Sequence, residues 1–192
     1  MMAPPELGLA LLRRARYAIA SELGVAAAPG GEHPSFAEPG ATFVTLMQDG
    51  ELRGCIGSLE PRRRLGIDVH ENAIAAAFRD PRFAPLVRSE LAITAVEVSL
   101  IGPVEALAVG SEDELFALLR PGRDGLILSH GGRRATFLPQ VWEALPDPRD
   151  FLAALKRKAG WPADFWTAAM NVERYSVLKW KESDFALQAE CR

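Results

Sequence analysis

The 192-residue sequence holds only two cysteines, Cys55 and Cys191, and three histidines, His33, His70 and His130. Two thiols cannot build a disulfide framework or a four-cysteine zinc site. Histidines this far apart give no local metal spacing, and neither a metal nor a cofactor is expected. No run approaches the ~20 uninterrupted apolar residues that a membrane span needs. Arg13, Arg14 and Arg16 interrupt the apolar stretch from Leu7, so the N-terminus does not read as a signal peptide. A cytoplasmic location with both thiols free is the expectation. Neither sign of charge dominates: the formal net charge is −3 and the pI is about 5.7, which argues against nucleic acid as a partner. Residues of the AVILMFWYC set make up 48% of the chain, enough core to exclude disorder. The length suits one domain, or two small lobes sharing a core.

Leu7, Leu11, Ala15, Ile19 and Leu23 recur every four residues and predict an amphipathic helix. Residues 25–40 are rich in glycine and proline and read as a long irregular loop or flap. Ala41–Gln48, the turn pair Asp49-Gly50 and Glu51–Ser58 form the clearest hairpin. A two-residue turn sets Gln48 opposite Glu51 and, without a bulge, Phe43 opposite Ile56. Phe43, Met47, Leu52 and Ile56 then make the core face, with Arg53 and Cys55 on the other. An alanine-rich, largely buried helix is expected over Leu65–Arg79, ended by Asp80-Pro81. A long strand follows over Leu91–Ile101. Ser111 with Glu114 is a capping box for a helix stopped by Pro121-Gly122. Leu126–His130, Gly131-Gly132 and Arg133–Leu138 form a second hairpin. Asp147 caps a helix that ends at Gly160, and Val172–Lys181 is the last strand. Strands and helices mix without a βαβ rhythm, so the fold class is α+β, with mixed or antiparallel sheet and packed helices. A hairpin followed by a helix in each half permits an internal duplication.

Leu52-Arg53-Gly54-Cys55-Ile56-Gly57-Ser58 stands out on physical grounds. Two glycines in one strand weaken it by roughly 0.5–1 kcal/mol each relative to alanine. Such glycines mark a bulge or a close approach by another backbone or a ligand. Between them lies the cysteine that is not at the C-terminus. This segment resembles the signature of the AMMECR family, known in prokaryotes as AmmeMemoRadiSam system protein A. Ala77-Phe78-Arg79-Asp80-Pro81-Arg82-Phe83, Glu97-Val98-Ser99-Leu100, Gly122-Arg123-Asp124-Gly125-Leu126-Ile127, Gly132-Arg133-Arg134-Ala135-Thr136-Phe137-Leu138-Pro139-Gln140-Val141-Trp142, Phe151-Leu152 and Lys158-Ala159-Gly160 extend the likeness from about residue 7 to 183. One position departs from the family: Lys156 stands where a cysteine would be expected, so no second thiol serves there. The resemblance implies one domain over 7–183, with two lobes meeting at a cleft and tails at 1–6 and 184–192. It implies no established reaction. It associates the chain with a Memo-like protein and a radical SAM enzyme.

Cys55 reads either as a nucleophilic or redox thiol, with Arg53 favouring the thiolate, or as a small residue fitted between close backbones. Arg53 holds either a small anionic ligand or a structural ion partner such as Glu97 or Glu51. Arg62, Arg63 and Arg64 precede a helix start and read as a solvated charged edge or as an anion site. Arg79 and Arg82 flank Asp80; two arginines exceed what a helix stop needs, which points to a joint structural and binding role. His70 reads as a core or boundary histidine. Thr136 and Gln140 follow the second hairpin, where Gln140 reads a ligand amide or makes a loop hydrogen bond. Trp142, Trp161, Trp166 and Trp180 read as packing anchors. The candidate binding residues are therefore Arg53, Gly54, Cys55, Ile56, Gly57, Ser58, Arg79, Arg82, Thr136 and Gln140. No base, metal set or cofactor fingerprint accompanies the thiol, so a binding component is favoured over an enzyme using Cys55.

Overall fold

The computed structural model describes residues 4–27 and 30–185. Cys191, Pro29 of the glycine- and proline-rich segment and the outer parts of both expected tails lie outside them. Twelve helices and strands follow in order: α1 (Pro5–Glu22), β1 (Pro39–Gly40), β2 (Thr42–Gln48), β3 (Glu51–Gly57), β4 (Arg63–Arg64), α2 (Leu65–Phe78), β5 (Ala95–Leu107), α3 (Glu112–Leu118), β6 (Gly125–His130), β7 (Arg133–Phe137), α4 (Pro148–Lys158) and β8 (Asn171–Lys181). The chain divides into two units, one running to Ile101 and resuming at Leu178, the other spanning Gly102–Val177. Both mix helices with antiparallel strands, so the fold is α+β.

In the first unit the strand order is β3-β2-β5-β8, which leaves β3 at an edge. The four-residue stripe of α1 is buried from Leu7 to Ile19, and α2 buries Leu65, Val69, Ala73, Ala76 and Ala77. Both helices belong to one core with Val44, Leu46, Val96 and Trp180. Arg16 ties α1 down: it donates to Leu91 O (3.0 Å) and Thr94 O (2.7 Å) and pairs with the buried Glu182. The expected loop over 25–40 contains regular structure. A 3-10 turn covers Pro34–Ala37, and β1 pairs with β4.

The first hairpin forms around Asp49 and Gly50, both at positive φ (50° and 84°) as a tight type I′ turn requires. Its register differs from the bulge-free expectation. Gln48 and Met47 do face Glu51 and Leu52, but Leu46 then pairs with Gly54, Thr45 with Cys55, Val44 with Ile56 and Phe43 with Gly57. Arg53 is the extra residue of a β-bulge. A one-residue slip moves side chains to the opposite face, so Val44 and Leu46 are fully buried while Leu52 is 40% exposed. Ile56 packs on the core as expected, beside Val44 and Leu46, whereas Phe43, Met47 and Leu52 do not take the core face that alternation assigned them.

In the second unit the order is β5-β8-β6-β7. β5 begins later than the expected strand, after a 3-10 turn over Arg88–Ile93, and runs six residues further. Pro103 is tolerated because β5 is an edge strand in this unit. Ser111 caps α3 by accepting from Glu114 N (3.3 Å), and Asp147 caps α4 by accepting from Arg149 N (2.7 Å). Trp142 stacks on Phe151 with ring centres 3.7 Å apart and donates to Asp124 O (2.8 Å). Trp161 is buried beside them. The tryptophans therefore pack as anchors.

Candidate functional site

Cys55 lies on the edge strand β3, and its backbone is held from outside by two side chains. Its N–H donates to Asp80 Oδ2 (2.9 Å), and its carbonyl accepts from Arg82 Nη2 (3.2 Å). Asp80 is buried and saturated: Arg82 reaches it through Nε (3.0 Å), Nη2 (2.7 Å) and its own backbone N–H (3.1 Å). The Arg82 guanidinium holds the Asp80 carboxyl far below the usual carboxylate range, against the opposing effect of burial. Asp80 in turn strengthens Arg82's hold on its proton, and Arg82 reaches Cys55 through its backbone carbonyl. The pair closes the unpaired edge of β3, a common protection for an edge strand. Cys55 itself is half-buried, and its Sγ accepts from Thr45 Oγ1 at 3.3 Å.

Arg53 turns away from this clamp. It makes a two-point ion pair with Glu90, Nε to Oε1 and Nη2 to Oε2, both 3.1 Å. Glu90 also accepts from Val87 N (2.9 Å) and Gln48 Nε2 (3.4 Å). Arg53 first, and the Val87 N–H next, push the Glu90 carboxyl below its ordinary value. The partner is therefore neither Glu97 nor Glu51. Glu97 instead pairs with Lys179 (2.6 Å) and Lys181 (3.4 Å). The bulge places Arg53 in an internal bond, and its charge is taken up there.

The two glycines of the motif serve close approach within the fold. A methyl group at Gly54 would overlap the backbone carbonyl oxygen of Ala76 in α2, and one at Gly57 would overlap the Phe43 ring. Beyond Gly57, Ser58 joins a buried network that the sequence reading missed. Asp68, on α2, accepts five hydrogen bonds: from Thr42 N (2.8 Å), Thr42 Oγ1 (2.8 Å), Asn72 Nδ2 (2.9 Å), Ser58 Oγ (2.6 Å) and Arg63 Nη2 (3.0 Å). Asn72 also donates to Thr42 O (2.9 Å). The signal was present as two polar residues four apart on a helix otherwise apolar on that side.

The first unit thus brings together Cys55, Asp80 and Arg82, with Ser58 at the end of the same strand. Arg79 and Arg82 are exposed, and Asp80 pairs with Arg82. Arg62 pairs with Glu60 (2.6 Å) and Arg63 with Asp68 (3.0 Å), so the basic run is partly neutralised. Thr136 and Gln140 belong to the second unit. Thr136 Oγ1 bonds Leu126 O and Tyr175 OH, each 2.8 Å away, and Gln140 is exposed in the 3-10 turn Pro139–Glu143. Burial pushes the Tyr175 hydroxyl up to about 12. Asp124 of the same unit is buried and held by Arg120 (2.7 Å). Lys156 is fully buried, pairs with Glu112 and donates to Ala163 O (3.0 Å), a structural role. Among the described residues no cluster of three His, Cys, Asp or Glu could hold a metal, and no helix is long and apolar enough to cross a membrane.

Residues 12–180 match the family model described as AMMECR1. Protein MJ0810 of Methanocaldococcus jannaschii is 39% identical over 155 residues, covering 77% of this chain and 75% of its own. A protein of Thermofilum pendens is 37% identical over 191 residues, covering 90% and 88%. The crystal structure of uncharacterized protein PH0010 from Pyrococcus horikoshii superimposes with a TM-score of 0.82 at 33% identity, covering 94% of this chain and 93% of that one.

Proposed function

The chain belongs to the AMMECR1 family, and from that premise we propose that it is a binding component acting with a Memo-like protein and a radical SAM protein. The binding surface is the outer edge of β3 over Cys55–Ser58 together with Arg79 and Arg82. One observation carries this reading: the clamp on Cys55 is saturated inside and cationic outside. Asp80 is spent on Cys55 N and Arg82, Arg82 remains 53% exposed at its side chain, and Arg79 adds a second exposed guanidinium. A partner segment or small ligand bearing a carboxylate or phosphate complements that excess. Arg53 acts beneath the surface, holding the bulge through Glu90. The test is binding of the purified Memo-like protein to the full-length chain. Arg79→Glu reverses an exposed charge and leaves the clamp intact. It should weaken binding at least tenfold with an unchanged circular dichroism spectrum. Unchanged affinity would remove this surface from the interface.

A second reading draws on the half-buried sulfur and its closeness to Arg82: an enzyme in which Cys55 attacks a small anionic substrate held by that guanidinium. Alkylation of the folded protein across pH separates the two. A catalytic thiol labels fast at an apparent pKa well below the ~8.5 of a free thiol. Labelling only after unfolding removes the enzyme.

A further inference from the structure

The first unit contains a cavity of about 810 Å³ walled by α1, residues 32–37 and the first two turns of α2. It is separate from the β3 edge, and its size is that of a small-molecule site. Ile67, 51% exposed, and Ala37 give it an apolar side, with the buried Phe36 behind Arg14. The Arg14 guanidinium lies 5.4 Å over the Phe36 ring and pairs with the exposed Glu32 at 3.3 Å. Three further groups lining it have no hydrogen-bond or ion partner among the described residues: Arg64, His70 and Glu71. The first N–H of α2, that of Leu65, already donates to Glu38 O (2.8 Å), and the charged groups of the wall are side chains. Its unpartnered charges are of both signs. Arg64 precedes Glu71 by seven residues, about 10 Å along the helix axis at 1.5 Å per residue. An extended peptide of three residues spans about 10 Å.

We propose that this cavity binds a short peptide with both termini free. Its carboxylate meets Arg64, its ammonium meets Glu71, and an apolar side chain lies on Ile67, which is exposed between them on the same helix. A simple anion leaves Glu71 unanswered, and a simple cation leaves Arg64 unanswered. The full-length protein is titrated with Ala-Phe-Ala while the imidazole resonances of His33 and His70, both in the cavity wall, are followed by NMR. Both should shift in a saturable way. The N-acetyl and C-terminal amide forms should each bind about three- to fivefold more weakly, the size of one partly exposed ion pair. Glu71→Gln should abolish the penalty of acetylation, and Arg64→Gln that of amidation. Ile67→Ser, which removes the exposed apolar contact and leaves every charge in place, should weaken binding by about threefold or more. The proposal is overturned if neither histidine moves at about 10 mM peptide. Equal binding of all three forms, or unchanged affinity in Ile67→Ser, overturns it as well.

Discussion

Gly54→Ala is the smallest change that tests why the motif is bare. The added methyl meets the carbonyl oxygen of Ala76, an atom fixed in the α2 backbone that cannot rotate aside. Relief requires α2 or β3 to move. α2 is held on its other side by Ala73, Ala76 and Ala77, each at most 2% exposed in the core shared with α1. Overpacking of this kind costs about 1–3 kcal/mol. Replacing glycine by alanine within a strand returns about 0.5–1 kcal/mol through the unfolded chain. Because the clash is with fixed backbone, the upper end of the overpacking range applies, and the net expectation is a loss of about 2 kcal/mol, or a fall in Tm of about 4–8 °C for a chain of this length. Urea titration followed by circular dichroism gives the free energy, and thermal melting gives Tm. Gly54→Val, with two more methyls, should be worse and fail to accumulate as folded protein. A Gly54→Ala protein as stable as the parent, or more stable, would refute the claim that this glycine exists for helix approach.

Other outcomes follow from the buried carboxylates. Asp68→Ala leaves Thr42 N–H, Ser58 and Asn72 without their shared acceptor. At about 1–3 kcal/mol per unsatisfied buried group, it should destabilise by at least about 2 kcal/mol in urea titration, and a loss below the range of one such group would contradict the network's role. Asp80 and Glu90 both have carboxyls held below their ordinary values by arginine. Their contribution to stability is present above the unfolded pKa of about 4 and is lost as pH falls through the lower native values. Asp80→Asn should therefore flatten the acid limb of the stability–pH curve below about pH 4, and an unchanged limb would contradict the clamp. Arg53→Lys keeps the charge but loses the two-point fork to Glu90. Its expected signature is faster amide exchange at Leu52–Gly54 with partner binding retained.

Much of the fold was legible because local rules and tertiary packing agree. The α1 stripe, the Asp49-Gly50 and Gly131-Gly132 turns and the Ser111 and Asp147 caps are short-range signals, and each falls where its residues place it. The hairpin register was not legible. A strict alternation counts Arg53 as an ordinary strand residue, and the two glycines signal a bulge or a close approach without saying where the register slips. The reason lies 37 residues away in Glu90, and 22 residues away in Ala76, whose approach fixes Gly54. The same distance hid the clamp. Asp80-Pro81 reads locally as a helix stop, which it is, but its carboxylate also reaches back 25 residues to Cys55 N. The glycines correctly signalled close approach; what approaches is the protein's own helix and the Phe43 ring. The basic character of Arg79 and Arg82 in excess of the helix stop was visible in the sequence and is what the binding proposal rests on.

The most direct measurement of that proposal is hydrogen exchange of the full-length chain with and without the purified Memo-like protein. The account predicts slowed exchange in peptides covering β3 through Ser58 and the Arg79–Arg82 segment, lost in Arg79→Glu. Protection confined to other parts of the chain, or no protection at saturating partner, would contradict it.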